Sequence, residues 1–368
     1  MTRAIFTGAG ASRPFGVPLT NQLLPRIRGR LASGELFRDR WSSLNTTNGA
    51  PPPTGGPDES AANREAFSRG ISVLLPGFQS AESEHLPLIT DVLSLVDHSL
   101  RSVNALTPLM NTATLTKFSD LLEQAILEVL AQCEPGDEID NATLTAFADG
   151  VFREREETGI ISTNYDIELE SQLFKRYHRS ERESRMFIRD QNIDFGFDWR
   201  DPVTGVVNKR PVQASLRLYK IHGSLNWLRC ELCDHVYVNT YASIVELAFQ
   251  PTSSTNTCHC DYAPLRTAII APSIVRDVRN VSILECWKNA LEFLRTASEW
   301  VIIGYSFPPE DIAIRSLFLR AYNARRMPPT IHVVQKGEDL LPRYRLFFPD
   351  CTYEAGGVEA FVRKYYAA

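Results

Sequence analysis

A chain of 368 residues, 43% hydrophobic and carrying 19 Phe, 12 Tyr and 5 Trp, has material for one large core or two modest ones, which excludes wholesale disorder. Its 39 Lys and Arg against 44 Asp and Glu leave a net charge of -5. Bulk electrostatics therefore does not drive it onto nucleic acid or a membrane surface, and direct nucleic-acid binding is not indicated. No run reaches the roughly 18 apolar residues of a membrane helix, and the N-terminus turns into glycines before a signal-peptide core forms; a soluble, cytoplasmic protein is expected.

In chain order, the short apolar run Ala4-Ile5-Phe6 leads into Gly8-Ala9-Gly10-Ala11-Ser12, a buried strand and then a tight turn. From about Ser42 to Asn63, Pro51-Pro52-Pro53 and Gly55-Gly56-Pro57 among Ser, Thr and Asn read as loop or linker. Helical spacing then takes over from about 91 to 155, with one apolar stripe through Leu115, Phe118, Leu122 and Val129 and another through Leu144, Phe147 and Val151. Beyond it, strand-like runs at 160–161, 218–221, 268–270, 301–303 and 331–334 alternate with helical stripes such as Leu169/Leu173/Phe174/Tyr177 and Leu284/Trp287/Leu291/Leu294. The expectation is a doubly wound, Rossmann-like parallel α/β sheet with a helical insertion and a small metal module. Its expected division is 1–40, 156–228 and 263–368 for the sheet domain, 41–155 for linker and insertion, and 229–262 for the metal module.

The loops at the strand ends are more informative than the strands. The glycine turn comes after the first strand; Ser162-Thr163-Asn164-Tyr165-Asp166 comes after Ile161, His222-Gly223-Ser224 after Ile221, and Gly304-Tyr305-Ser306 after Ile303. In open parallel sheets ligands bind at the carboxyl ends of strands, so these four loops form one candidate site. A Gly-x-Gly turn suits a dinucleotide phosphate, although the third glycine of the usual fingerprint is missing. Asn164 and Asp166 offer an amide and a carboxylate for a carboxamide or ribose hydroxyl, and His222 is the acid/base candidate.

Seven cysteines include two tight pairs, Cys230/Cys233 and Cys258/Cys260, whose four thiols read as a closed, structural zinc site, with His235 and His259 as alternative ligands. Cys133, Cys286 and Cys351 read as buried small side chains.

The set resembles the sirtuin superfamily: the glycine turn with Gly16-Val17-Pro18 behind it, the Asn164-x-Asp166 step, His222-Gly223-Ser224 shortly before Cys-x-x-Cys, and Gly304-Tyr305-Ser306. Lys220-Ile221-His222-Gly223-Ser224-Leu225-Asn226-Trp227 looks like the bacterial sirtuin-like branch associated with NAD-depleting anti-phage defence. The resemblance implies an NAD site with Gly8, Ala9, Gly10 and Ser12 at the phosphates, Thr163 beside them, and Gly304, Tyr305 and Ser306 on the adenosine side. It implies Asn164 positioning the ribose or attacking water, Asp166 holding the carboxamide, and His222 as general base. Leu19, Thr20 and Asn21 depart from the deacylase pattern, as does Ala271-Pro272-Ser273-Ile274-Val275. The implied activity is therefore NAD glycohydrolysis, with protein-lysine deacylation or a silent NAD/ADP-ribose-binding regulatory subunit as alternatives. Gating through homo-oligomerisation or a HerA-type hexameric DNA-translocating ATPase is implied with it.

Overall fold

A computed structural model describes residues 2–38, 57–102, 107–108, 110–131, 139–183, 192–244, 248, 256–270, 280–309 and 311–366. Twelve strands run in chain order among these residues: β1 Arg3–Thr7, β2 Thr158–Ser162, β3 Ile193–Asp194, β4 Trp199–Arg200, β5 Val207–Asn208, β6 Leu216–Lys220, β7 Gly223–Cys230, β8 Val236–Val238, β9 Leu265–Ile269, β10 Glu299–Ile303, β11 Thr330–Val334 and β12 Thr352–Glu354. Seven form one sheet in the order β12-β11-β10-β1-β2-β6-β3, and every pairing in it is parallel. The order reverses at β1, so the crevice at the carboxyl ends of β10, β1 and β2 is the topological switch point where such sheets bind ligands.

The apolar runs form these strands because both faces are covered. Ala4, Ile5 and Phe6 are fully buried, as are Trp300, Val301, Ile302 and Ile303. The helices that cover them begin at side-chain caps: Asp140, Asn280 and Asp311 each accept from the backbone N–H three residues on. The helix Val281–Thr296 buries Ile283, Cys286, Ala290, Leu291 and Leu294, but Leu284, expected on that stripe, is exposed. Cys351 is also buried, whereas Cys133 lies outside the described residues.

The run at 268–270 departs from expectation. Ala268 and Ile269 end β9, which pairs antiparallel with β7 in a second sheet of order β5-β4-β8-β7-β9. A short apolar run carries no information about which sheet it joins. The cores also divide differently from the expected boundaries. A separate core joins the helices Thr20–Ser33, Pro57–Leu74, Ile89–Ser102 and Thr112–Leu130, through Leu24, Ile27, Phe67, Val96, Phe118 and Leu122. It thus reaches back before residue 40. The helix Asn141–Arg153 lies inside the expected insertion, yet its Leu144, Phe147, Ala148 and Val151 pack in the core of the main sheet. Amphipathic spacing identifies a buried face without naming the surface it meets.

At the amino end of the sheet, Glu299 accepts from Arg3 Nε at 2.7 Å and lies 3.2 Å from His332 Nε2. The bond to His332, against an opposing burial effect and with help from Arg3, lowers its carboxyl to about 2. A depressed carboxyl adds stability that is complete above its unfolded value and is lost as pH falls toward 2. Glu299→Gln should therefore lower Tm at pH 7 and flatten the acid limb of a Tm-against-pH curve below about pH 4.5. An unchanged acid limb would show that this cluster does not couple to folding.

Candidate functional site

Two backbone loops meet at the switch point, and glycine lets them touch. Gly8 N–H donates to Ile303 O at 3.0 Å and Gly10 N–H donates to Gly304 O at 2.8 Å. Gly304 has φ +63, and a Cβ there would stand 2.1 Å from Ala11 N. No other residue fits. This changes the meaning of the glycine turn, because both glycine N–H groups are committed to the neighbouring strand end rather than turned to a ligand. The turn continues into a helix of four residues, Ala9–Ser12.

Around this junction opens a cavity of about 910 Å³, within the range of sites that bury small ligands. Of the expected residues, Thr163, Asn164, Asp166 and His222 line it from one side. Ala9, Gly10, Gly304, Tyr305 and Ser306 line it from the other. Gly8 and Ser12 are not on its wall. Ser12 is buried beneath it, where its Oγ accepts from Asn164 Nδ2 at 2.8 Å.

The chemistry of each group is set by its partners. Asn164 Nδ2 also donates to Gly8 O at 2.9 Å, so both amide protons are committed to the glycine turn. The side chain can still offer Oδ1, an acceptor. His222 is 4% exposed, and its Nδ1 lies 3.2 Å from the Thr163 carbonyl. With Nδ1–H donating to that carbonyl, Nε2 is the basic nitrogen. The ring sits between Tyr165 and Trp287, with centroids 6.3 Å and 6.0 Å away, and Trp287 Nε1 donates to Ile221 O at 2.6 Å. The adjacent Gly223 has φ +84 and a Cβ there would lie 1.8 Å from Ala268 O, so β9 presses on this turn. Ile270 N–H reaches back to His222 O at 2.9 Å.

Asp166 is buried at the cavity base, with Oδ1 accepting from Glu168 N–H at 3.2 Å. Across the cavity, Tyr305 donates its hydroxyl to Asp311 at 2.6 Å and its carbonyl accepts from Gln335 Nε2 at 2.6 Å. The next residue but one, Phe307, is fully buried with φ +51, a conformation unusual for an aromatic residue. Its ring lies among Tyr344, Phe347 and Arg315, which hold the strained turn.

Several wall residues were not singled out from the sequence. Arg13, Arg26 and Lys336 are the cationic side chains on the cavity wall. Gln335 comes directly after β11, so the strand-end argument applied to the other four loops would also have found it. Leu88, Thr90 and Asp91 come from the helical module, which therefore walls the cavity.

The second cluster lies on the small sheet. Cys230, Cys233, Cys258 and Asp261 bring their ligand atoms within 4.8 Å of one another, and Cys233 and Cys258 Sγ are 3.5 Å apart. A tetrahedral zinc at about 2.3 Å from sulfur requires S···S edges of about 3.8 Å, so the donor set fits zinc. The expected fourth ligand, Cys260, is exposed and stands in an adjoining group with Cys233 and His235. The backbone explains the exchange. Leu232 N–H and Cys260 N–H each bond the sulfur two residues back, at 3.4 Å. Asp234 and Tyr262, four residues after each first cysteine, are both left-handed at φ +59 and +58. The two knuckles match in backbone pattern, so Asp261 takes the place of Cys233 and Cys260 that of Leu232. Burial opposes ionisation of Cys258, but bonds from the Tyr237 hydroxyl and neighbouring amides hold its thiol below the ordinary value.

Among the described residues no helix is long and apolar enough to cross a membrane. No family model and no curated protein sequence matches the chain. Among solved structures it is similar to a Sir2–p53 peptide–NAD+ complex, at 13% identity over 99% of this chain and 91% of that one, with a TM-score of 0.41. It is also similar to a Sir2 homologue bound to NAD, at 15% identity over 100% and 91%, with a TM-score of 0.39. A Sir2 homologue–ADP-ribose complex matches at 15% identity over 99% and 92%, with a TM-score of 0.38.

Proposed function

We propose that this chain is a sirtuin-like NAD hydrolase that cleaves the nicotinamide–ribose bond. The observation that carries the reading is the convergence of Asn164, Asp166 and His222 with Gly304, Tyr305 and Ser306 on one cavity at the switch point of a parallel sheet. Arg13 and Arg26 suit a pyrophosphate, and the cavity has the volume for a dinucleotide.

Cleavage expels neutral nicotinamide with the bonding electron pair and leaves an oxocarbenium-like ribose. Water then forms the new C–O bond and its proton passes to a base, giving ADP-ribose, nicotinamide and a proton. His222 Nε2 is the base in this reading, and Asn164 Oδ1 is an acceptor able to orient the water. Asp166 holds the carboxamide of the leaving group. Positioning and fixed dipoles supply most of the rate.

Peptide deacylation is disfavoured by the surroundings of the cavity. Leu19, Thr20 and Asn21 line the wall where deacylases carry an acid, an aromatic and an arginine. Helix Thr112–Leu130 also packs over the small sheet, with Leu127 against Leu225 and Glu123 hydrogen-bonded to Thr267 of β9. The segment with Pro272 lies outside the described residues. Unrestrained hydrolysis of NAD harms the host cell, so we place the activity in a gated anti-phage effector controlled by self-assembly or a HerA-type ATPase.

The test is chromatography of products after incubation with NAD, alone and with acetyl-lysine peptides, for the isolated chain and for the chain co-purified with its ATPase. Nicotinamide and ADP-ribose released at a rate independent of peptide are expected. Peptide-dependent formation of acetylated ADP-ribose would establish the deacylase instead. Tight NAD binding without turnover in both preparations would leave a regulatory binding module.

A further inference from the structure

Beneath the cavity lies an ion pair that the proposed chemistry does not use. Lys220, the last residue of β6, is 1% exposed, and its Nζ is bonded to the Glu170 carboxylate, itself 5% exposed. The same Nζ donates to the main-chain carbonyl of Asp166 at 2.5 Å. Glu170 and Asp166 also border a void of about 10 Å³ shared with Ser12, Ser162 and Asn164. That is close to the space one water needs, and its lining is polar enough to hold one.

Stability does not account for this arrangement. Moving a lysine and a glutamate out of water costs several kcal/mol per ion, and a well-packed apolar pair of the same size is often as stable or more so. The location is more informative. Lys220 connects three parts of the site: the loop after β2, whose Asp166 it grips; the helix Glu168–Glu183, through Glu170; and, two residues on, His222. Ile221 N–H bonds Ser162 O at 3.1 Å, so the turn carrying His222 is tied to the same β2 end.

We propose that Lys220 and Glu170 are a positioning pair that fixes the Asp166 loop and the His222 turn relative to each other. Neither residue lines the main cavity, so neither touches substrate. The lysine fixes where the Asp166 carbonyl sits, and the glutamate, bonded to the same Nζ, holds the lysine in place. Its catalytic consequence rests on the hydrolase reading; its structural consequence does not.

The test is Lys220→Met/Glu170→Leu, which replaces the pair by apolar side chains and leaves neither member behind as a buried charge without its partner. Two quantities are read. Amide exchange across 163–168 should rise at least about tenfold while the β1 and β10 amides stay protected, since local opening then needs no broken ion pair. In NAD hydrolysis, kcat should fall about tenfold or more with KM within about twofold, the pattern of lost transition-state positioning. Glu170→Gln keeps the side-chain shape and, should the double variant not fold, is expected to show the same pattern at about threefold or more. Unchanged exchange at 163–168 in a folded variant overturns the proposal, as does wild-type kcat. If the wild-type chain does not hydrolyse NAD while the exchange effect appears, the hydrolase reading fails and the positioning role stands.

Discussion

Replacing His222 with alanine is expected to reduce NAD cleavage by at least about a hundredfold, the lower range for removing a general base, while leaving the protein folded. The imidazole packs against Tyr165 and Trp287 and bonds the Thr163 carbonyl, while the His222 backbone is held independently by Ile270 N–H. Tm should therefore fall modestly, by the loss of about one buried hydrogen bond, without unfolding. Asn164→Ala is expected to be as damaging by a different route. Its amide protons hold Gly8 O and Ser12 Oγ, so truncation loosens the glycine turn as well as removing the Oδ1 acceptor. The kinetic signatures should separate them: His222→Ala lowers kcat and kcat/KM together, whereas Asn164→Ala also raises KM through the disturbed turn. A His222→Ala variant that cleaves NAD at near wild-type rate would remove His222 from the chemistry. A change in Asn164→Ala confined to KM would make Asn164 a ground-state binding residue.

The main sheet was legible because both its faces are buried. Fully covered strands read as continuous apolar runs, and the loops at their carboxyl ends carry the polar residues that meet a ligand. This is why Asn164, Asp166, His222 and Gly304 could be grouped before any contact was known. The partnerships inside the group were not legible. That Gly8 and Gly10 spend their N–H groups on Ile303 and Gly304 depends on two loops nearly 300 residues apart, which the pattern Gly-x-Gly does not encode. Lys220 falls within the strand-like run 218–221, and only the fold brings Glu170 to its Nζ. Apart from the exposed Leu284, the helical stripes named their own buried faces, yet the helix Asn141–Arg153 joined the main core and Thr20–Ser33 joined the helical module. Asp261 as a candidate ligand was not legible, for a simpler reason. Counting cysteines gave four thiols, and the repeated i, i+3 spacing that pairs Asp261 with Cys233 appears only when the two knuckles are aligned by backbone.

The zinc module should respond asymmetrically to the loss of its two neighbouring cysteines. Cys258→Ser is expected to release the metal and destabilise the protein, because the binding energy of a structural zinc is folding energy, on the order of 10 kcal/mol in small zinc domains. Cys230→Ser should do the same, since both sulfurs are fully buried and both anchor a knuckle. Cys260→Ser should retain one zinc per chain and leave Tm nearly unchanged, because its backbone N–H serves Cys258 while its side chain is exposed. Asp261→Asn should fall between these, since the amide keeps an oxygen donor but removes a charge from the ligand set. Elemental analysis of freshly purified variants, alongside thermal denaturation, reads both quantities. Loss of zinc from Cys260→Ser as complete as from Cys258→Ser would place the fourth ligand on Cys260, and wild-type protein with no zinc and all thiols free would remove the metal altogether. The direct chemistry of NAD should survive in any folded variant, since Asn164 and Asp166 follow β2 and His222 follows β6 of the main sheet; the small sheet meets them through Leu225 N–H on Tyr165 O, Ile270 N–H on His222 O and the seating of β9 against Gly223.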